Sequence, residues 1–408
     1  MNFKSEFLKE FSARGFFAKT THAEELDDLM AHESVTAYIG FDCTAKSLHA
    51  GSLIQIMILR LLQKHGHRPI VLLGGGTTKI GDPSGKDEAR QVLSESKIQE
   101  NLNGIKKTLE KFISFEGNNA AVLVNNDDWL KNLNYLEFLR DVGRHFSINR
   151  MLTFDSVKTR LEREQPLSFL EFNYMILQAY DFYELNKEYG CRLQIGGSDQ
   201  WGNIVNGVDL TRRLSAKEAF GLTSPLLTTA DGKKMGKTSD GAVWLDEEML
   251  SPFDYFQYFR NTHDADVGKF LKLFTDLELS EIENLEKLQD QEINKAKEIL
   301  AFEAVKICHG ENAANQALQK AREIFVSKNS AAFEEKEISL GAENSKKLVD
   351  IIFEIAAAES KGAAKKLIEG KAVKINGEAV LEVHYTITQT GDFELSVGKK
   401  KFFKIIVK

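Results

Sequence analysis

Between residues 35 and 227 the chain alternates short β-branched and aromatic runs with stretches of helical periodicity. The run TAYIGFD at 36–42 predicts a strand, residues 51–65 an amphipathic helix, and RPIVLL at 68–73 a second strand. A Gly-rich loop, a helix over 95–112 and a strand at 120–125 follow, then further helices, a strand at 192–195 and another at 225–228. Strands apolar on both faces and separated by helices imply an α/β, doubly wound parallel (Rossmann-like) sheet. Ligands of such sheets sit beyond the carboxyl ends of the strands, which directs attention to the segments after Asp42, Leu73 and Ile195.

From 251 to 326 the pattern turns all-helical, with Ser251-Pro252 as an N-cap and N1 pair and Ser280 with Glu283 at capping-box spacing. Residues 327–340 are polar and weakly periodic and read as a linker. Beyond them the pattern predicts helices over 346–358 and 363–369, a hairpin of 372–375 and 379–383 around Asn376-Gly377, and strands at 393–397 and 402–407. Leu348, Ile351, Ile352, Phe353, Leu367, Ile375, Phe402 and Ile405 are the expected core of this small α+β module. The resulting division is 1–240, an all-helical 241–326, the linker 327–340, and 341–408.

Composition adds exclusions. With 42% hydrophobic and 28% charged residues and only 5 Pro, the 408-residue chain is neither collagen-like nor broadly disordered. The apolar run at 53–62 is broken by Gln55 and Arg60, so no membrane span is expected, and Glu6 and Glu10 stand where an export signal needs an apolar run. Cys43, Cys191 and Cys308 form no paired framework, which points to a reducing, cytoplasmic setting without structural zinc. The net charge of −7 is unevenly spread: residues 361–408 carry ten Lys against five Asp/Glu, an excess of +5. A basic tail on an acidic body suits an RNA-contacting module, and suits a solvated Lys-rich surface equally well.

Two glycine-rich stretches fail as nucleotide motifs. Gly81-Asp82-Pro83-Ser84-Gly85-Lys86 is one residue short of a P-loop, and Gly74-Gly75-Gly76 lacks the third glycine of the dinucleotide fingerprint. A better phosphate site is the segment from Cys43 to Ser52, which leads from a strand into a helix N-terminus. Thr44 and His49 can donate to phosphate oxygens there, and Gly51 lets a flat base approach the backbone. The glycine-hinged basic loop 231–238 is suited to closing over a triphosphate as charge develops. Tyr174, Gln178 and Asp181 fall at i, i+4 and i+7, so one helix face presents all three, an arrangement that asks for a polar ligand.

His49-Ala50-Gly51-Ser52 and Lys234-Met235-Gly236-Lys237-Thr238 resemble the HIGH and KMSKS signatures of class I aminoacyl-tRNA synthetases. The intervening chain is similar to the bacterial tyrosyl-tRNA synthetases through Tyr38-Ile39-Gly40-Phe41-Asp42, Gly81-Asp82-Pro83-Ser84, Glu171-Phe172-Asn173-Tyr174 and the run Gln194-Ile195-Gly196-Gly197-Ser198-Asp199-Gln200. Ser52 departs from the pattern, standing where HIGH has its second histidine. The resemblance implies ATP-dependent attachment of L-tyrosine to tRNA(Tyr) through tyrosyl-adenylate, by a homodimer. It implies that Tyr38 and Asp181 grip the phenolic hydroxyl, that Tyr174, Gln178 and Asp82 hold the ammonium, and that Gln200 lines the pocket. Thr44 and His49 would contact phosphate, with Lys86, Arg90, Lys234, Lys237 and Thr238 closing over pyrophosphate. Gly40, Asp42, Gly51, Ser52, Gly197 and Asp199 would serve the adenylate. Mg2+ would arrive with ATP, without a tightly bound protein-ligated metal. The helical region would contact the anticodon and the tail would bind RNA. A non-enzymatic RNA-binding derivative and a tryptophanyl enzyme are the other classes. The former should have lost loop lysines or pocket carboxylates, and against the latter the Tyr38/Asp181 pair and the RNA-binding tail favour tyrosine.

Overall fold

The computed structural model describes residues 2–83, 93–230, 232, 235–238, 241–331, 333–340, 345–398 and 401–408, with backbone only for 237–238, 324–331, 333–334 and 402. Lys86, Arg90 and Lys234 lie outside the described residues. Two units emerge, Met1–Leu318 and Gln319–Lys408, the division falling within the helix Glu311–Ala331.

In the first unit six strands form one sheet: Lys19–Thr20 (β1), Thr36–Asp42 (β2), Arg68–Gly74 (β3), Val122–Asn125 (β4), Leu193–Gly197 (β5) and Phe220–Ser224 (β6). Their order is β1-β6-β5-β2-β3-β4, parallel throughout except for β1 against β6. Ala37, Tyr38 and Ile39 are consecutive and all buried, as a strand covered on both faces requires. The helix Leu53–Lys64 buries eight of its twelve residues for the same reason. Expected and observed strands agree closely at β2 and β3. The strand placed at 225–228 is instead β6 at Phe220–Ser224, because Pro225 has no N–H to give a ladder.

The chain progresses outward from β2 through β3 to β4, then returns to place β5 and β6 on the other side. The direction therefore switches between β2 and β5. These two strands share only the pairs Ala37↔Leu193 and Tyr38↔Gln194, whereas β2 pairs with β3 over seven residues and β5 with β6 over five. Beyond Tyr38 and Gln194 the sheet splits into a crevice.

After the short strands Lys237–Thr238 (β7) and Gly241–Ala242 (β8), the same unit continues as helices, including Pro252–Arg260, Val267–Phe274 and Ile293–His309. Ser251 caps the first of these and Pro252 opens it. Ser280 does not cap: the helix Leu279–Leu285 has Glu278 at its N-cap, leaving Ser280 within its first turn.

The second unit corrects the proposed linker. Residues 327–331 end the helix Glu311–Ala331, and Phe333–Ile338 is a strand (β9). It runs parallel to Lys401–Val407 (β15) at the edge of a sheet that also holds Val373–Ile375 (β11), Glu378–Ala379 (β12) and Gly391–Val397 (β14). Two of its glutamates pair with lysines, Glu335 with Lys404 of β15 at 3.3 Å and Glu337 with Lys408 just past its end at 2.6 Å, so an edge strand reads as polar linker in sequence. Lys346–Lys347 (β10) pairs with Thr386–Ile387 (β13), so the helix expected from 346 begins at Leu348 and ends at Glu354. The core gathers Leu348, Ile351, Ile352, Leu395, Phe403 and Ile405, while Phe353, expected inside, is 44% exposed.

Ile405 is fully buried in β15, and its truncation to Ala should cost this unit roughly 2–5 kcal/mol. Hydrogen exchange by mass spectrometry should then show lost protection in β14 and β15 with β2 and β3 unchanged. Equal loss in both sheets would mean that the two units do not unfold separately.

Candidate active site

The crevice between β2 and β5 opens into a cavity of about 380 Å³. Strand β2 contributes Tyr38, Gly40 and Asp42, and the segment after it Thr44, His49, Gly51 and Ser52. Gly197, Asp199 and Gln200 line it from the β5 side, and Asp82, Tyr174, Gln178 and Asp181 complete the wall. The helix Phe169–Tyr189 delivers Tyr174, Gln178 and Asp181 on one face. A capping box of Ser168 and Glu171 fixes its start and Gly190 in left-handed conformation ends it.

At the floor, the Asp181 carboxylate is 1% exposed and accepts two hydrogen bonds, from Asn126 Nδ2 at 3.0 Å and Trp129 Nε1 at 2.8 Å. The Tyr38 hydroxyl is equally buried and has no hydrogen-bond partner among the described residues. Burial pushes the Asp181 carboxyl up to about 7, opposed by its two N–H donors, and raises the Tyr38 phenol well above its ordinary range. A hydroxyl without a partner beside a carboxylate already oriented by two donors suits a ligand group that both donates and accepts a hydrogen bond.

Higher in the cavity a polar chain runs from Asp82, which accepts from Gln200 Nε2 at 2.9 Å, to Asn203. The Asn203 amide donates to Gln200 Oε1 at 2.9 Å and to Gln178 Oε1 at 3.0 Å. Asp42 accepts from the hydroxyls of Thr77 at 2.9 Å and Tyr174 at 3.2 Å. A Cβ on Gly74 would lie 2.3 Å from Asp42 Oδ1, so only glycine leaves that carboxylate its place.

On the opposite rim, His49 Nδ1 accepts from the Gly51 amide at 3.0 Å, which requires the neutral ring's proton to sit on Nε2. Gly51 does not face open space. A Cβ there would lie 3.0 Å from the Met235 carbonyl oxygen, and one on Gly236 would lie 2.4 Å from the Gly51 nitrogen. The two glycines thus bring the helix-leading segment and the basic loop into direct contact. Ala50 N–H to Val243 O at 2.7 Å and Leu245 N–H to Leu48 O at 3.0 Å extend that contact. Lys237 and Thr238 are placed by their backbone in β7, and their side chains lie outside the described residues.

Sequence reasoning missed Asn126, Trp129, Asn203 and Thr77. Asn126 follows the carboxyl end of β4, a position that the strand-end rule marks as readily as those after Asp42 and Leu73.

A family model for tRNA synthetases class I (W and Y) matches residues 30–326, and one for a Tyrosine--tRNA ligase SYY-like C-terminal domain matches residues 330–405. A Tyrosine--tRNA ligase of Wolbachia pipientis subsp. Culex pipiens (strain wPip) is 57% identical over 415 residues, covering 100% of this chain and 99% of that protein. A Tyrosine--tRNA ligase of Zymomonas mobilis subsp. mobilis (strain ATCC 31821 / ZM4 / CP4) is 56% identical over 400 residues, covering 98% and 97%. Among solved structures, a C-terminally truncated Aspergillus nidulans mitochondrial tyrosyl-tRNA synthetase matches with a TM-score of 0.71 at 32% identity, covering 78% of this chain and 94% of that one.

The position of Asp181 makes stability depend on pH. Its unfolded value is near 3.8 and its folded value about 7, so between these the folded state binds more protons. Stability is therefore lost as pH rises through that window, by at most about 1.4 kcal/mol per unit. Urea titrations of wild type and Asp181→Asn at about pH 5 and about pH 8 should show their difference moving against wild type at the higher pH. A constant difference would mean that Asp181 stays charged throughout.

Proposed function

The chain belongs to the class I tRNA synthetases, and on that premise we infer that it attaches L-tyrosine to tRNA(Tyr) at the expense of ATP, through tyrosyl-adenylate. The observation that carries the choice of amino acid is the Tyr38 hydroxyl beside the Asp181 carboxylate at the cavity floor. A phenol entering there donates to Asp181 and accepts from Tyr38. Phenylalanine would bury the same groups without a partner, an effect for which tyrosyl-tRNA synthetases are the standard case. In this reading Tyr174, Gln178 and Asp82 hold the ammonium group and Gln200 lines the pocket beside it.

The substrate carboxylate, ionised at neutral pH, attacks the α-phosphate of ATP, and the bond to pyrophosphate breaks. No general base is needed, so the protein's contribution is positioning and charge stabilisation. Thr44 and the Nε2–H of His49 serve the phosphates, joined by Lys86, Arg90, Lys234, Lys237 and Thr238. Gly40, Asp42, Gly51, Ser52, Gly197 and Asp199 serve the adenylate. The Asp42 and Asp82 oxygens already accept hydrogen bonds from Thr77, Tyr174 and Gln200, so Mg2+ is best held by the ATP phosphates, whose charge it would offset. The tRNA 3′-terminal adenosine then takes the tyrosyl group and AMP leaves.

We propose a homodimer on the strength of an apolar surface: Tyr135, Leu136, Ile148 and Phe169 are 62–75% exposed within 35 residues of chain. No described helix is long and apolar enough to cross a membrane, and a cytoplasmic setting is our reading. The tail module is proposed to hold tRNA. Its positive excess is moderated locally, since Lys361 pairs with Asp350 and Lys404 and Lys408 with the glutamates of β9.

Tyrosine-dependent exchange of labelled pyrophosphate into ATP tests the activity directly, with phenylalanine and tryptophan as controls. Asp181→Asn should shrink the ratio of kcat/KM for tyrosine over phenylalanine by about 10-fold or more. A ratio unchanged while both values fall would make Asp181 a structural residue of its helix.

A cut after Ala331 removes the C-terminal sheet whole, whereas one after Leu340 strands β9 without its partner β15. The enzyme ending at Ala331 should keep pyrophosphate exchange and lose most tRNA charging. What charging remains should fall less steeply with salt than that of the full chain. Equal charging and equal salt dependence would mean that tRNA is held elsewhere.

A further inference from the structure

The hinge of the basic loop is gripped from the helical region by a side chain that is not part of the cavity lining. Gly236 donates its N–H to the Tyr258 hydroxyl at 3.3 Å, and its carbonyl accepts from Val243 N–H at 3.0 Å. The residue is held on both sides immediately before Lys237 leaves along β7. Gly236 adopts φ +91°, and its close approach to Gly51 leaves no room for a side chain, so the hinge cannot steady itself. The entry of the loop is held from the same region. Lys269 Nζ donates to Thr228 O at 2.7 Å, and Asp266 Oδ2 accepts from Ala230 N–H at 2.7 Å.

Tyr258 lies on the helix Pro252–Arg260, whose core face consists of Tyr255, Phe256 and Phe259, each no more than 1% exposed. Tyr258 is off that face and only half-buried, its ring set edge-on against Phe259 with centroids 5.2 Å apart. The ring therefore has its packing without the oxygen, and among the described residues the oxygen's partner is the hinge amide. Burial raises the phenol above its ordinary value, so it remains a hydroxyl at neutral pH.

We propose that Tyr258 is a positioning residue for adenylate formation: by holding the Gly236 amide, its hydroxyl fixes the direction in which Lys237 leaves the hinge. This rests on the reading that Lys237 meets charge developing on departing pyrophosphate. It also couples the helical region to the chemistry, because the helix bearing Tyr258 belongs to that region.

The test is single-turnover adenylate formation by the full-length enzyme carrying Tyr258→Phe, Lys237→Ala or both, with tyrosine affinity measured in parallel. Tyr258→Phe keeps the ring and removes one hydrogen bond, so the rate at saturating ATP should fall about 3- to 10-fold with tyrosine affinity unchanged. In the Lys237→Ala background the same change should have no further effect, since nothing remains to be positioned. A wild-type rate for Tyr258→Phe beside a slow Lys237→Ala enzyme overturns the role of Tyr258 and leaves that of the loop intact. An equal further loss in the Lys237→Ala background also overturns it, showing a structural role independent of Lys237. A Lys237→Ala enzyme as fast as wild type overturns the reading of the loop, and the role of Tyr258 with it.

Discussion

Strands β2 and β5 part company after Tyr38 and Gln194, and the site is organised around that separation. A parallel sheet normally keeps its ladder closed, because every backbone N–H and C=O left open inside a protein is costly. Here β2 continues to Asp42 and β5 to Gly197 with their facing edges no longer paired to each other. The cost is tolerable because the outer edges stay locked. Seven register pairs hold β2 to β3, and five hold β5 to β6. Glycine at 40, 196 and 197 keeps the parted edges free of side chains at the ends that matter.

The polar groups in the crevice are arranged for recognition at the expense of stability. Asp181 has its carboxyl pushed up toward neutrality, which is a penalty carried by the folded state. Its two N–H donors offset part of that and aim the oxygens. The chain from Asp82 through Gln200 and Asn203 to Gln178 works the same way, each amide spending its hydrogen bonds on orienting the next. Such a network leaves few rotamers open before a ligand arrives, the condition under which a missing hydroxyl is felt as a lost bond.

Much of this was legible in the sequence, for identifiable reasons. Central strands such as TAYIGFD are apolar on both faces and announce themselves. The stripe Tyr174, Gln178, Asp181 follows from helical period alone, and the cavity-lining segment after Asp42 from its place between a strand and a helix start. What was not legible depends on distant partners. β9 is a strand because β15, some 70 residues away, offers its edge for a six-residue parallel ladder. Asn126 and Trp129 serve the site only because β4 lies beside β3 and turns them toward a carboxylate on another helix. Thr77 and Gly74 sit in a glycine run whose failure to match a dinucleotide fingerprint drew attention away from it, although its role is to shape the place of Asp42.

The contact between Gly51 and Gly236 shows how the two motifs depend on each other. Each would be an ordinary feature alone, a helix start and a basic turn. Their backbones meet so closely that neither position admits a Cβ, and strand-like bonds from 48–50 to 243–245 tie the flanking segments together. The basic loop is thus built onto the rim of the crevice, and any motion it makes must either break those bonds or pivot about them. Gly236, with its positive φ and both backbone groups engaged, is the natural pivot. The helices after 250 enter here as anchors, holding the hinge through Tyr258 and the loop's entry through Asp266 and Lys269. Whatever displaces those helices therefore acts on the hinge directly, through these bonds.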